Sequence, residues 1–295
     1  MRADTLPRLD PTVRDRLERG YLDATAARRR RMLVGFGLLV VSILLAGWIA
    51  EVQPAKFFAN FGSFTKYIHD ILPVLHLDAA DTGIAEWYWG WKRWLRLLGE
   101  TLLIAYVGTL VGALTAFLLS FLAAGNLVRS PGLRFAARRF LEFCRTVPEI
   151  VFALIFVVAF GLGPVPGVLA IAIHTMGALG KLFSEVVENI DMKPVEGLVS
   201  TGAGFVETVR FAVLPQVMTN YASYMLLRFE VNVRGAAIMG YVGAGGIGQD
   251  LLEAIRKFYY TDVSAILLMI IITVVAIDML TETLRHRVLG AEGAR

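Results

Sequence analysis

The sequence is poor in cysteine, in charge and in the usual signatures of catalysis. A single cysteine, Cys144, excludes an internal disulfide framework and any zinc site built on several thiolates. Charged residues are 18% of the 295 positions, against roughly 25% in an ordinary soluble domain, which rules out a soluble enzyme and a disordered chain. No G-x-x-x-x-G-K-[ST] run occurs, so the chain cannot bind ATP through a Walker loop; H-E-x-x-H and G-x-S-x-G are missing as well. What the chain has instead is apolar surface, with 56% hydrophobic residues and a mean hydropathy of +0.62. In such a chain a net charge of +4 and a pI near 9.3 point to the cytoplasmic face of a bilayer rather than to nucleic acid.

Crossing a hydrocarbon core about 30 Å thick takes about 20 mainly apolar helical residues. Six runs qualify: residues 32–50, 101–124, 148–162, 165–183, the less apolar 216–242, and 263–284. The expected class is therefore an all-α integral membrane protein with six transmembrane helices. The first run follows Arg28, Arg29, Arg30 and Arg31, an order that a signal peptide shares. Its length, and a Trp48-Ile49-Ala50 end without the small-residue cleavage pattern, favour a retained anchor. With the N-terminus inside, residues 51–100, 161–166 and 243–262 lie outside. Of the 29 Lys and Arg, 20 then fall on the inner side and 7 on the outer, with Arg228 and Arg234 inside the fifth run. That bias supports the assignment, with both termini cytoplasmic.

The outer segment carries Trp87, Tyr88, Trp89, Trp91 and Trp94 interleaved with Lys92, Arg93 and Arg96. Indole rings favour the headgroup layer, so this reads as an interfacial helix leading into the second span, ahead of a ligand-stacking site. His69 and His76 share a face at i, i+7 but have no third ligand in register, and read as solvated histidines. Val13, Leu17 and Tyr21 form one helical stripe in the charged N-terminal tail. The run Gly243-Ala244-Gly245-Gly246-Ile247-Gly248 spells G-x-G-x-x-G, but a dinucleotide site needs a preceding strand, and here membrane-length helices flank it. Its glycines instead let the chain leave a helix and let backbones pack closely. Gly108-Thr109-Leu110-Val111-Gly112 is a small-xxx-small face suited either to internal packing or to dimerisation.

The fifth run is the most informative. Arg228, Glu230, Asn232 and Arg234 sit within it, and each ion costs about 2.5–3.5 kcal/mol at the centre of a span, so they cannot face lipid. At about 100° per residue, Tyr221, Tyr224, Arg228, Asn232, Gly235 and Met239 share a stripe, expected to face a wet cavity. Glu230 and Arg234 form an i, i+4 ion pair on the other side, and a wholly structural use of all four polar residues is the alternative. Arg145 and Glu149 repeat the i, i+4 spacing at the start of the third run, around Pro148, and are expected to pair, either to fix the helix entry or to gate the path. His174 shares a face with Lys181 in the fourth run and is either an interhelical bond or part of the path.

Between the fourth and fifth runs, residues 184–215 include Glu196, separated by five residues from Gly202, and then Leu214-Pro215. This spacing resembles the EAA loop of binding-protein-dependent ABC importer permeases, although Gly197 and Leu198 stand where that family usually has alanines. Arg145-Thr146-Val147-Pro148-Glu149 and Gly240-Tyr241-Val242 followed by the glycine run match as well, and the chain is most similar to phosphonate importer permeases. The resemblance implies a type I ABC importer permease with a MetI-like fold, and a cytosolic coupling loop carrying Glu196, Gly202, Leu214 and Pro215. It implies no cofactor or metal in this chain, with ATP and Mg on partner ATPase subunits. The partners implied are two ATPases, a second permease copy forming a homodimer, a periplasmic substrate-binding protein and membrane lipid, but no nucleic acid.

On this reading residues 1–31 are a cytosolic tail, 32–50 a first anchor, 51–100 a periplasmic segment with an interfacial helix, 101–289 the transmembrane domain and 290–295 a cytosolic tail in the cell inner membrane. The function implied is import of a phosphonate or related phosphorus oxyanion by alternating access, along Arg228, Asn232, Tyr221, Tyr224 and His174, with Glu230, Arg234, Arg145 and Glu149 as structural ion pairs. Import of another small solute such as an amino acid, and secondary transport, are the alternatives.

Overall fold

Prolines open the helices of this chain. Pro54, Pro131, Pro164, Pro194 and Pro215 each sit in a first helical turn, where the missing N–H has no intrahelical partner to lose. The computed structural model describes residues 11–71 and 87–290, and every regular element among them is helical.

The chain divides at Lys66/Tyr67 into two compact units. The first holds α1 (Pro11–Ile49), α2 (Pro54–Ala59) and the beginning of α3 (Phe61–Ile71). The expected tail and anchor meet at residue 31 inside an unbroken helix. From Pro11 onward the two form one 39-residue helix, because nothing between the arginines and the apolar run breaks the backbone. The side chains of Val13 and Leu17, all of His76, and residues 291–295 lie outside the described residues.

The second unit contains α4 (Trp91–Ala123), α5 (Pro131–Thr146), α6 (Glu149–Phe160), α7 (Pro164–Glu188), α8 (Lys193–Ser200), α9 (Phe205–Thr208), a π turn (Val209–Val213), α10 (Leu214–Met239), a 3-10 turn (Gly240–Val242), α11 (Ile247–Arg256) and α12 (Tyr260–Gly290). Among the described residues, α1, α4, α7 and α12 are long and apolar enough to cross a membrane. The third expected span is corrected. α6 has 12 residues, about 18 Å of helix, too short for a core of about 30 Å. It qualifies only together with α5, from which it is bent by 85°. Pro148 causes the bend: it has no N–H to give, and it holds Val147 in an extended conformation (φ −71°, ψ 123°). At its 26 residues α10 is long enough to span, but it carries the three ions noted above.

α4 and α7 form the spine of this unit. Lipid tails are as apolar as leucine, so helices associate there by close packing and interhelical hydrogen bonds. The contact faces are accordingly small: Ala105, Gly108, Thr109, Gly112, Ala113 and Ala116 of α4 are buried, as are Ala170, Ala172 and Thr175 of α7. A Cβ at Gly112 would stand 2.6 Å from the carbonyl oxygen of Ala172, so the small-xxx-small face serves internal packing. Gly112→Leu is expected to force the pair apart and cost about 3 kcal/mol, read as a lowered unfolding midpoint in detergent. Gly99→Ala, which points into open space, is expected to leave that midpoint unchanged.

The tryptophan belt divides. Trp89 and Trp91 stay exposed, whereas Trp94 is buried against α11 and α12 with Leu98, Leu251 and Ile266. Trp87 donates from its indole to Ser264 Oγ (2.9 Å), and Trp89 donates to Asp262 (2.9 Å), which pins the approach to α4 onto the start of α12. α4 runs unbroken from Trp91 through the membrane-length stretch. The glycine run closes the same end of the bundle. Gly243, Gly245 and Gly246 adopt positive φ, and the loop is held by Gly246 N–H to Glu100 (3.3 Å) and Ile247 N–H to Thr101 Oγ1 (2.9 Å).

Candidate functional site

Three helices converge on one polar layer inside the apolar bundle. The kink at Val147–Pro148 starts α6 at Glu149, α7 contributes His174 and Thr175, and α10 contributes Arg228 and Asn232. The Arg228 guanidinium gives Nη2 to His174 Nδ1 (3.1 Å) and Nε to Thr175 Oγ1 (3.4 Å), and Nη2 lies 4.0 Å from Glu149 Oε2. His174 Nε2 lies 3.1 Å from the carbonyl oxygen of Arg145, an acceptor only. Nε2 therefore donates to it, while Nδ1 faces both Arg228 Nη2 (3.1 Å) and Glu149 Oε2 (3.4 Å). Asn232 gives its amide to Thr109 Oγ1 (2.7 Å) and Thr175 Oγ1 (2.8 Å), tying α4, α7 and α10 together. An unpaired cation at this depth would cost about 2.5–3.5 kcal/mol, and the carboxylate of Glu149 offsets it.

The expected cavity stripe on α10 is corrected, because its members separate. Asn232 is fully buried and Met239 is 2% exposed, both enclosed between helices. Tyr221 is 4% exposed, stacked on Phe183 at 3.8 Å, with its hydroxyl 3.0 Å from Ser120 Oγ and giving a bond to the Phe183 carbonyl (3.2 Å). The hydroxyl of Tyr221 and the amide nitrogen of Asn232 find partners on neighbouring helices, while Asn232 Oδ1 is buried with none among the described residues. Tyr224 instead lines an open cleft of about 430 Å³ with Asn220, Gln216, Asp191 and Glu185. Arg228 and His174 keep part of their side chains accessible, 16% and 20% respectively.

The expected Arg145–Glu149 pair is also corrected. The bend between them destroys the i, i+4 register, so Glu149 turns to His174 and Arg228, and Arg145 makes no ion pair among the described residues. Glu230 and Arg234 do pair, at 2.5 Å, and Arg234 also reaches Asp278 of α12 (3.8 Å). Asp278 was missed in the sequence reading, although an acid within the sixth apolar run is itself a signal. Lys181 pairs with Glu185 (3.2 Å) rather than joining His174.

The second candidate region is the segment after α7. α8 carries Glu196 in its first turn, where a carboxylate faces the positive end of the helix dipole. It ends in a Schellman motif, with Gly202 N–H to Val199 O (3.0 Å) and Ala203 N–H to Leu198 O (3.3 Å). Gly202 holds the left-handed position at φ +85°. α9 follows, and Leu214-Pro215 opens α10 as expected. The π turn just before widens the backbone where the proline ring would otherwise meet the carbonyl of Phe211. Glu196, Val199, Ser200, Gly204 and Phe205 border a cleft of about 570 Å³ beside Arg129.

A helical bundle with a partly accessible arginine among its helices and a glycine-turned, two-helix elbow between α7 and α10 is the frame on which the family comparison falls: a permease subunit of the ABC importer class. Residues 108–289 match the family described as binding-protein-dependent transport system inner membrane component, and the chain belongs to that family. The phosphite transport system permease protein PtxC of Stutzerimonas stutzeri is 39% identical over 271 residues, covering 88% of this chain and 94% of that protein. The phosphate-import permease protein PhnE of Mycolicibacterium smegmatis is 32% identical over 243 residues, 82% of this chain and 43% of that protein.

Among solved structures, the inward-facing MetNI methionine ABC transporter superposes with a TM-score of 0.56 at 19% identity, over 66% of this chain and 95% of that one. A bacterial ABC transporter for the acidic polysaccharide alginate gives 0.58 at 14% identity, over 84% and 98%. At these identities the likeness concerns the fold, which is that of MetI-like importer permeases. The chain is thus a multi-pass inner-membrane transport subunit and not an enzyme, and its family works with an ATPase and a substrate-binding protein.

Proposed function

We propose that this permease imports a phosphorus oxyanion, phosphite or a phosphonate, by alternating access, delivered by an extracytoplasmic binding protein and driven by ATPases docked on the α8–α9 elbow. The observation that carries the reading is Arg228. It is a guanidinium in the middle of a membrane-length helix, partly accessible, in a chain whose relatives carry the names of phosphite and phosphate importers. A fixed cation flanked by His174 and Thr175 suits a tetrahedral anion that must be desolvated and then released. Six crossings, by α1, α4, the α5–α6 pair, α7, α10 and α12, put both termini and the α8–α9 elbow on the cytoplasmic side. The basic bias supports this orientation, and two copies complete one translocation path.

The ligand drives the switch only through its different affinity for the two states, expressed through the loaded binding protein. The test is reconstitution in proteoliposomes with the ATPase and the binding protein. Uptake of phosphite or methylphosphonate is expected to require ATP and to persist when ion gradients are collapsed. Uptake that follows an ion gradient without ATP would overturn the assignment in favour of a secondary carrier.

A further inference from the structure

Glu149 is placed to do more than neutralise its surroundings. Its carboxylate lies along α10 across two turns, with Oε1 seated where residue 235 has no side chain and Oε2 placed 3.4 Å from His174 Nδ1 and 4.0 Å from Arg228 Nη2. A Cβ at Gly235 would stand 2.5 Å from Oε1, so the seat exists only because that residue is glycine. The contact to the guanidinium is open. Its 4.0 Å separation is well beyond the roughly 2.7–2.9 Å of a closed charge-assisted bond. Arg228 spends Nη2 on His174 and Nε on Thr175, and Nη1 makes no hydrogen bond among the described residues. The guanidinium is therefore compensated in charge but retains an edge for a second anion.

We infer that Glu149 is an internal counter-anion that the arriving oxyanion displaces from Arg228, and hence a specificity-determining residue of the permease. The inference rests on Arg228 belonging to the anion path. Displacement exchanges one anion for another, so neither state leaves a bare cation in a low-dielectric layer, and return of the carboxylate helps the cargo leave. Anions that are poor hydrogen-bond acceptors, such as chloride, compete badly with a tethered carboxylate. Phosphite and phosphonates, with several charged oxygens, compete well. Selectivity then comes from a built-in rival rather than from a tight pocket.

The test uses the assembled transporter without its binding protein and measures direct binding of methylphosphonate. Glu149→Gln is expected to tighten binding about tenfold and to slow uptake per ATP hydrolysed, whereas Glu149→Asp is expected to stay within about twofold of the parent. Gly235→Ala evicts the carboxylate without removing it and is expected to tighten binding in the same direction, which keeps the test open should Glu149→Gln fail to assemble. Unchanged or weaker binding in both Glu149→Gln and Gly235→Ala, with Arg228→Gln still losing binding, overturns the counter-anion while sparing Arg228. Parental binding and transport in Arg228→Gln would remove the pathway assignment and the counter-anion together. A carboxylate that only screens the charge of Arg228 would also tighten binding when neutralised in Glu149→Gln, but Gly235→Ala, which keeps the charge, would then leave binding unchanged and overturn the displacement.

Discussion

Arg228→Gln is expected to reduce ATP-dependent uptake of phosphite or methylphosphonate by about 10- to 100-fold, the equivalent of losing one charge-assisted hydrogen bond worth about 1.5–3 kcal/mol. The difficulty lies in separating this from damage to the bundle. Removing the guanidinium alone strands Glu149, and an uncompensated carboxylate between helices destabilises by about 3–5 kcal/mol when fully buried. Glu149 is a quarter exposed, so the real cost is smaller, but its direction is the same.

The double variant Arg228→Gln/Glu149→Gln removes both charges and leaves a neutral layer, with Asn232 still bridging Thr109 and Thr175. It is expected to assemble with its partners as the parent does and to transport no better than Arg228→Gln. Arg228→Lys keeps the charge but not the fork, and its transport is expected to fall between that of the parent and that of Arg228→Gln. Recovery of transport in the double variant, measured in the same proteoliposomes, would mean that Arg228 serves the fold and not the cargo.

Much of the architecture was legible in local pattern. The apolar runs in α1, α4, α7 and α12, the start of α10 at Leu214-Pro215 and the turn at Gly202 all follow from rules that act within a few residues. The pairing of Glu230 with Arg234 was legible for the same reason, because an unbroken helix preserves i, i+4 geometry. The failures share one cause. Arg145 and Glu149 have identical spacing, but a proline lies between them, and a bend of 85° redirects Glu149 to residues 25 and 79 positions away. Periodicity places Tyr221, Arg228 and Asn232 on one face without saying what that face meets. Phe183 and Ser120 enclose the first, and Thr109 and Thr175 accept from the amide nitrogen of the third, whose Oδ1 stays buried without a hydrogen-bond partner among the described residues, while Arg228 keeps an accessible edge. Which helix covers which turn is a tertiary fact, set by α4 and α7 approaching closely enough to shut one part of the stripe and not another.

Coupling makes the sharper demand on the backbone. Gly202→Val is expected to abolish most substrate-stimulated ATPase activity, about tenfold or more, with membrane insertion and permease assembly intact. The cause is conformational and not steric, since a Cβ at this position would meet nothing within 4 Å. A β-branched residue cannot hold φ +85° without a penalty of roughly 1–2 kcal/mol or more, and the Schellman bonds from Gly202 and Ala203 depend on that angle. Without them the turn from α8 into α9 is lost, and with it the placing of Val199 and Phe205 on one cleft.

The same argument separates shape from bulk. Gly202→Asn adds a larger side chain than alanine but tolerates the left-handed region, and is expected to retain at least half of the stimulation, whereas Gly202→Ala is expected to lose more than asparagine does. If stimulation instead fell in order of side-chain size, the elbow would be acting as a packed surface at residue 202 itself. If Gly202→Val were fully stimulated, the α8–α9 elbow would not be the element through which nucleotide turnover reaches the Arg228 layer.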